Sequence, residues 1–83
     1  MVKVHQGGEF ECYIYSRPRE HFPPQVRVEC ARGGEAMIRL GNEVTEPCLL
    51  QNHHMRGVDV RRAIRLVRRH QHRFLEEWMR LHG

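Results

Sequence analysis

Residues 57–82 read GVDVRRAIRLVRRHQHRFLEEWMRLH, and this proline-free stretch decides the fold. Its apolar side chains recur at spacings of three and four residues, which places them along one face of an α-helix. That face consists of Val60, Ala63, Ile64, Val67, Phe74, Leu75, Trp78 and Leu81. The opposite face is almost purely cationic and consists of Arg61, Arg62, Arg65, Arg68, Arg69, Arg73 and Arg80. The pattern predicts an amphipathic helix over about residues 58–82, with one side facing a core.

Two polar residues of this helix have expected partners. We expect Asp59 to be the N-cap, because its carboxylate can accept hydrogen bonds from amides of the first turn and faces the positive end of the helix dipole. Gln71 lies near the middle of the apolar face, where a polar group needs a partner. We expect it to bond to a backbone group at the end of a sheet, in preference to a role in an interface or a site.

The chain before the helix alternates between apolar and polar residues in four runs, as β-strands do. These runs lie at about residues 2–5, 9–15, 25–31 and 35–40. Paired glycines separate the first run from the second and the third from the fourth, which is typical of hairpin turns, and three prolines make the 16–24 segment a loop. Residues 48–50 are expected to be a short extended or half-turn segment, followed by an irregular lead into the helix.

These elements predict one α+β domain over residues 1–83: a small antiparallel β-meander of three to four strands packed against one long C-terminal helix. A helix of about 23 residues is about 35 Å long, whereas strands of this size span only about 20 Å. Its last turns would therefore extend past the sheet and carry Phe74, Leu75 and Trp78 with them. We expect a homodimer, or docking on a partner, through this distal end.

Composition indicates a soluble globular protein, with 40% hydrophobic and 29% charged residues. No apolar run approaches the roughly 20 residues of a membrane span, and the N-terminus has no signal-peptide core. Cys12, Cys30 and Cys48 are an odd number at spacings that form no CxxC pair. We interpret them as free, mostly buried thiols and expect a cytoplasmic location without membrane contact.

The net charge of +4 is unevenly placed along the chain. Residues 1–55 hold six bases and seven acids, whereas residues 56–83 hold eight arginines and three acids. The basicity therefore belongs to the helix. A field so concentrated attracts nucleic acid or an acidic protein surface, and a merely solvated helix face is an equally open interpretation.

Other chemistry finds little support in the residues. His53 and His54 with Cys48 have no zinc-ligand spacing, and His70 and His72 point about 200° apart on a helix. No nucleophile elbow, P-loop or dinucleotide fingerprint is present. We therefore expect no metal and no cofactor.

Several segments carry a family resemblance: GGEFECYIYS, HFPPQVRVE, GGEAMIRL, the Leu-Leu-Gln-Asn lead-in and the final LEEWMRLHG. In this order, over nearly the whole chain, they resemble the domain-of-unknown-function 4160 family of small prokaryotic proteins. The resemblance implies an uncharacterised function. It also implies a gene context beside a second small protein (domain of unknown function 2442), as in a toxin–antitoxin-like pair.

The family pattern at the loop resembles acidic-x-x-Pro-Pro-His-x-His. Here Glu20 and Pro23-Pro24 match, but Gln25 and Arg27 stand at the two histidine positions. Glutamine does not titrate and arginine stays protonated, so a histidine-based activity of the family is expected to be lost in this chain. For His21 beside Glu20 we expect plain polar surface in preference to a lone acid–base group.

Three functions follow as hypotheses, and we favour binding over catalysis. The first is a basic binding module that contacts a nucleic-acid backbone or an acidic protein partner through Arg61, Arg62, Arg65, Arg68, Arg69 and Arg73, with Tyr13 and Tyr15 available to stack on bases. The second is a nuclease-like toxin that uses Glu20, His21 and Arg27 as weak catalytic candidates. The third is a phage or mobile-element inhibitor that reuses the fold as an interaction surface.

Overall fold

Five β-strands and one helix make up the computed structural model, which describes residues 1–15 and 23–82. The elements are β1 (Val2–Gly7), β2 (Phe10–Ile14), β3 (Gln25–Cys30), β4 (Glu35–Arg39), β5 (Cys48–His53) and α1 (Gly57–His82). The strands form one sheet in the order β1-β2-β3-β4-β5, each antiparallel to its neighbours, and α1 covers one face. The predicted α+β meander with a C-terminal helix is confirmed, but the sheet has five strands instead of three to four.

The strand that the sequence pattern missed is β5, at the edge of the sheet. All six of its residues are exposed. A strand that buries neither face has no reason to alternate between apolar and polar side chains. The register with β4 also shifts between Met37 and Ile38, so that Leu50 has no partner residue there. The hydrophobic pattern therefore gave no sign of residues 51–53.

The core lies between the sheet and α1, and it consists of the side chains predicted to point inward. Phe10, Cys12 and Ile14 of β2 are buried, and the inward residues of β3 and β4 are buried in the same way. From the helix and its lead-in, the buried apolar side chains are Met55, Val60, Ala63, Val67, Phe74 and Trp78. Ile64, Leu66, Leu75 and Leu81 are half-buried at the margins of this cluster.

The distal end of the helix is covered by the chain itself. Phe74 is fully buried and Trp78 is 8% exposed. The His82 ring stacks on Trp78 with centroids 3.7 Å apart, and its Nε2 lies 2.7 Å from the Tyr15 carbonyl oxygen. The burial of these two aromatic rings therefore needs no second subunit. Leu75 is half-buried and Met79 is 62% exposed, and the dimer through this end stays a prediction.

The start of the helix differs from the expectation. The amide of Val60 donates to the carbonyl of Arg56 at 2.8 Å, which makes Arg56 the N-cap residue and places Asp59 inside the first turn. The Asp59 N-cap is therefore wrong. The prediction for Gln71 is confirmed: its Oε1 accepts from the Gly41 amide at 2.9 Å, and its Nε2 donates to the Asn42 carbonyl at 3.3 Å.

The three cysteines are free, with Cys12 and Cys30 buried and Cys48 exposed. Burial raises the pKa of the Cys12 thiol to about 12, so that it stays protonated and unreactive. Within the described residues, no helix combines the length and the apolar character that crossing a membrane requires.

Candidate functional site

The strongest candidate surface is the side of α1 that faces away from the sheet. Four arginines, which we call the outer stripe, are exposed there: Arg61, Arg65, Arg68 and Arg69. Their spacings of three and four residues place them on neighbouring turns of one face. Arg68 has a weak contact, 3.6 Å from Glu46 with both side chains more than half exposed. Among the residues that the structure describes, Arg61, Arg65 and Arg69 form no ion pair.

The other helix arginines lie on the flank of α1 and bond to the protein itself. Arg73 donates through Nη1 to the Val4 carbonyl at 2.6 Å, and its Nη2 lies 2.9 Å from His5 Nδ1. Arg80 pairs with Glu77 one turn earlier on the helix. Arg62 bonds to two carboxylates. Of the six arginines assigned to binding from the sequence, Arg62 and Arg73 are therefore committed to intramolecular contacts.

The Arg62 contacts form a charged junction at the start of the helix. Its Nη1 donates to Glu9 at 2.8 Å and to Asp59 at 3.1 Å, while Arg32 donates to the second oxygen of Glu9. These guanidinium groups lower the pKa of the Glu9 carboxyl, with the Arg32 hydrogen bond as the largest cause. The junction ties the β1–β2 turn and the β3–β4 turn to the first turn of α1. Sequence reasoning missed it, because Glu9 and Arg62 are 53 positions apart.

The same junction contains three potential metal ligands. One ligand atom each of Glu9, Cys30 and Asp59 lies within 4.8 Å of the others. Asp59 is fully buried, and its Oδ2 has no hydrogen-bond partner among the described residues. Both carboxylates, however, already accept from guanidinium groups, which supply the positive charge that a metal ion would bring. We assign the cluster a structural role.

The open face of the sheet carries charges of both signs that bond to one another. Arg27 is at its centre: Nη1 donates to the Tyr15 hydroxyl at 3.0 Å, Nε lies 3.1 Å from Glu29, and Nη2 pairs with Glu35. The Tyr15 hydrogen bond is the largest cause of the raised pKa of Arg27. Of the catalytic candidates, Arg27 thus serves a network within the sheet, while Glu20 and His21 lie outside the described residues.

Tyr13 and Tyr15 also lie on this open face, as the alternation predicts. The Tyr13 hydroxyl donates to Glu11 at 2.7 Å, and that hydrogen bond raises the pKa of Tyr13. Because α1 covers the other side of the sheet, the two tyrosines and the outer stripe face opposite directions. A single site that combines arginine contacts to phosphate with stacking on these rings is therefore not formed.

A histidine pair connects the edge strand β1 to the helix. The rings of His5 and His70 have centroids 4.5 Å apart, and both rings approach Phe74. Partial burial is the first cause that lowers the pKa of each histidine, and the nearby Arg73 charge lowers it further. Both rings are therefore neutral at pH 7, which leaves His5 Nδ1 free to accept from Arg73.

Comparison with known families gives one match. Searches among curated proteins and among solved structures found no match for this chain. The matching family model covers residues 10–79, from the start of β2 to the penultimate turn of α1. The chain therefore belongs to the family described as Domain of unknown function (DUF4160).

Proposed function

We propose that this protein is a small basic binding module, and that the outer stripe holds the phosphate backbone of a nucleic acid. The observation that carries the proposal is the division of the helix arginines. Arg62, Arg73 and Arg80 bond to groups of the protein, whereas Arg61, Arg65 and Arg69 project from the same helix without an ion-pair partner among the described residues. Unpaired guanidinium groups at one-turn spacing are suited to bidentate contacts with phosphate oxygens.

The composition of the stripe favours nucleic acid over an acidic protein. Protein interfaces need an apolar centre that excludes water, whereas phosphate contacts need only donors and positive charge. The exposed apolar side chains of α1, Val58 and Met79, lie near its two ends, and the outward residues between them are polar or charged. An acidic protein partner is therefore the second-ranked occupant.

The length of the stripe sets the expected footprint. Arg61 and Arg69 are about 12 Å apart along the helix axis, since each residue advances by about 1.5 Å. One strand of a duplex presents a phosphate about every 3.4 Å of its axis, so the stripe can contact about three or four of them. The stripe holds no asparagine or glutamine to read adenine, and its arginines can read base edges only as guanine contacts in a major groove. With the four arginines assigned to phosphates, we expect little sequence preference.

Salt-dependent binding to short RNA and DNA duplexes and single strands tests the proposal. For duplex DNA we expect log K to fall with log salt concentration with a slope of roughly −3 to −4, as four neutralised phosphates imply. Replacing Arg65 by Gln reduces that slope by about one. The matched control is Arg80→Gln, which removes an arginine of the same helix that is already paired with Glu77, and it leaves the slope nearly unchanged.

Two results would contradict the proposal. One is binding that does not change with salt, and the other is binding that survives replacement of all four stripe arginines by glutamine. An acidic peptide that binds through the stripe more tightly than any nucleic acid would instead favour the protein partner.

The nuclease-like toxin and the mobile-element inhibitor stay secondary predictions. The same RNA samples test the first of them, because cleavage would shorten the RNA during the binding measurement. Cleavage that disappears in His21→Ala would favour catalysis by the loop, whereas intact RNA with and without divalent metal would remove that hypothesis.

A further inference from the structure

The two edges of the sheet are protected to different degrees. On the β1 edge, the register with β2 is irregular between Lys3 and His5. Arg73 donates to the carbonyl of Val4, the residue at that irregularity. Lys3 adds a charge to the strand. Bulges, charges and covered backbone groups are the devices by which natural sheets prevent their edges from pairing with other chains.

The β5 edge shares the irregularity, at Leu50, but not the other two devices. Its sequence, CLLQNH, contains no proline and no acidic, lysine or arginine side chain. Leu49 is 37% exposed and Leu50 is 47% exposed, and none of the described residues pairs with the outer side of the strand. An exposed, uncharged edge with apolar side chains is a template for another strand.

The flanks of β5 carry opposite charges, and this identifies the occupant. Glu43 and Glu46 precede the strand, whereas Arg56 follows it, and all three are exposed. When a strand pairs antiparallel with a copy of itself, the N-terminal flank of each copy meets the C-terminal flank of the other. The acidic flank would then meet the basic flank twice in one symmetric contact.

We propose that β5 pairs antiparallel with β5 of a second copy, which joins two five-stranded sheets into one sheet of ten strands. Two identical strands that pair antiparallel are related by a twofold axis perpendicular to the plane of the sheet. Both helices therefore lie on the same side of the joined sheet, and both outer stripes face the same direction. The contact differs from a dimer through the distal helix end, and it does not depend on what the stripes bind.

Sedimentation of the purified protein over a range of concentrations tests this inference. We expect the mass to rise from that of one chain, 9.9 kDa, toward twice that value. Leu50→Lys puts like charges near the twofold axis and raises the dissociation constant roughly tenfold or more. Leu50 is 47% exposed and has no partner residue on β4, so we expect the variant to fold. Met79→Lys is the matched control, because it adds the same charge at an apolar residue that is 62% exposed on the distal helix.

Charge exchange tests the antiparallel arrangement itself. Glu46→Lys and Arg56→Glu each weaken the self-association, and the double variant restores it, because the flanks become complementary again with their signs exchanged. Thermal unfolding of each variant at low concentration verifies that the single chain is intact.

Three outcomes would overturn the inference. The first is the mass of one chain at every concentration up to about 1 mM. The second is a dimer that is lost in Met79→Lys and kept in Leu50→Lys. The third is a double charge variant whose self-association is no tighter than that of the single variants. Since the mass is measured on protein alone, failure of the anion-binding proposal has no effect on the result.

Discussion

Gly33 and Gly34 are neighbours in the turn between β3 and β4, and both have positive φ angles, 116° and 88°. Their surroundings differ. A Cβ atom on Gly33 would have no neighbour within 4 Å, whereas one on Gly34 would lie 2.3 Å from the Met55 amide nitrogen. Gly34 thus lets the turn pack against the segment that leads into α1. The sequence shows two turn glycines, but not which of them is required by a tertiary contact.

The two glycines provide a matched pair of substitutions. Gly33→Ala introduces only backbone strain and is expected to lower the free energy of unfolding by about 1–2 kcal/mol. Gly34→Ala adds a backbone collision to the same strain and should cost roughly twice as much or more, because main-chain atoms of His54 and Met55 must move. Urea unfolding measures both values. Equal losses would mean that the β3–β4 turn does not contact the lead-in segment as described.

At the scale of elements, the edge strand β1 and the helix are joined through His5, His70 and Arg73. The pKa of each histidine is lowered in the folded chain, with burial as the first cause. The unfolded chain, with histidine pKa values near 6.5, therefore takes up more protons as the pH falls. Above that value this pair has no effect. Below it the folded state loses stability, because its partly buried histidines take up protons less readily than those of the unfolded chain.

We therefore expect the free energy of unfolding to fall between about pH 7 and about pH 5.5, before most carboxylates titrate. The double variant His5→Gln/His70→Phe removes this part of the pH dependence, because Gln keeps an acceptor for Arg73 and Phe keeps the aromatic packing. His72→Gln is the control, since the His72 side chain is 93% exposed. Urea unfolding at the two pH values is the measurement. An unchanged slope in the double variant would show that the pair does not sense pH.

The elements differ in how far the sequence determines them. The strands β2, β3 and β4 alternate because one face is buried under α1, and this alternation is what made them predictable. The edge strand β5 was missed, since an exposed edge leaves no pattern. The helix was predicted to within a residue at its start, but its N-cap was not. Asp59 lies inside the first turn and bonds to Arg62, whose other partner, Glu9, is 53 positions away and was not apparent from the sequence.

At the scale of the whole molecule, charge separates the two faces. On the sheet face, the Glu11, Glu29 and Glu35 carboxylates pair with Lys3 and Arg27. Among residues 1–15 and 23–82, no comparable set of acids lies beside the arginines on the outer face of α1. The sequence located the positive charge on the helix, but it could not separate Arg61 and Arg65 from Arg62 and Arg73. That division depends on where β1 and the two turns lie, which only tertiary structure fixes.

Repulsion among the arginines of the outer stripe is expected to lower the stability of the fold. Arg65 is one helical turn from Arg61, Arg68 and Arg69, and like charges at these spacings destabilise a helix by about 0.2–0.5 kcal/mol each. Arg65→Gln is therefore expected to raise the free energy of unfolding by about 0.6–1.5 kcal/mol at low salt, with the gain shrinking at high salt as the charges are screened. A binding role would explain why the chain carries an exposed residue that lowers its stability.

Arg62→Gln is the control for this prediction, because Arg62 differs from Arg65 in having carboxylate partners. Its replacement leaves fully buried Asp59 and partly buried Glu9 with fewer donors, so it should lower the free energy of unfolding instead of raising it. Thermal or urea unfolding of both variants, at low and at high salt, measures whether each substitution raises or lowers the free energy of unfolding. If Arg65→Gln destabilises the chain by as much as Arg62→Gln does, Arg65 has a structural partner, and the stripe is not the free cationic surface on which the proposed function rests.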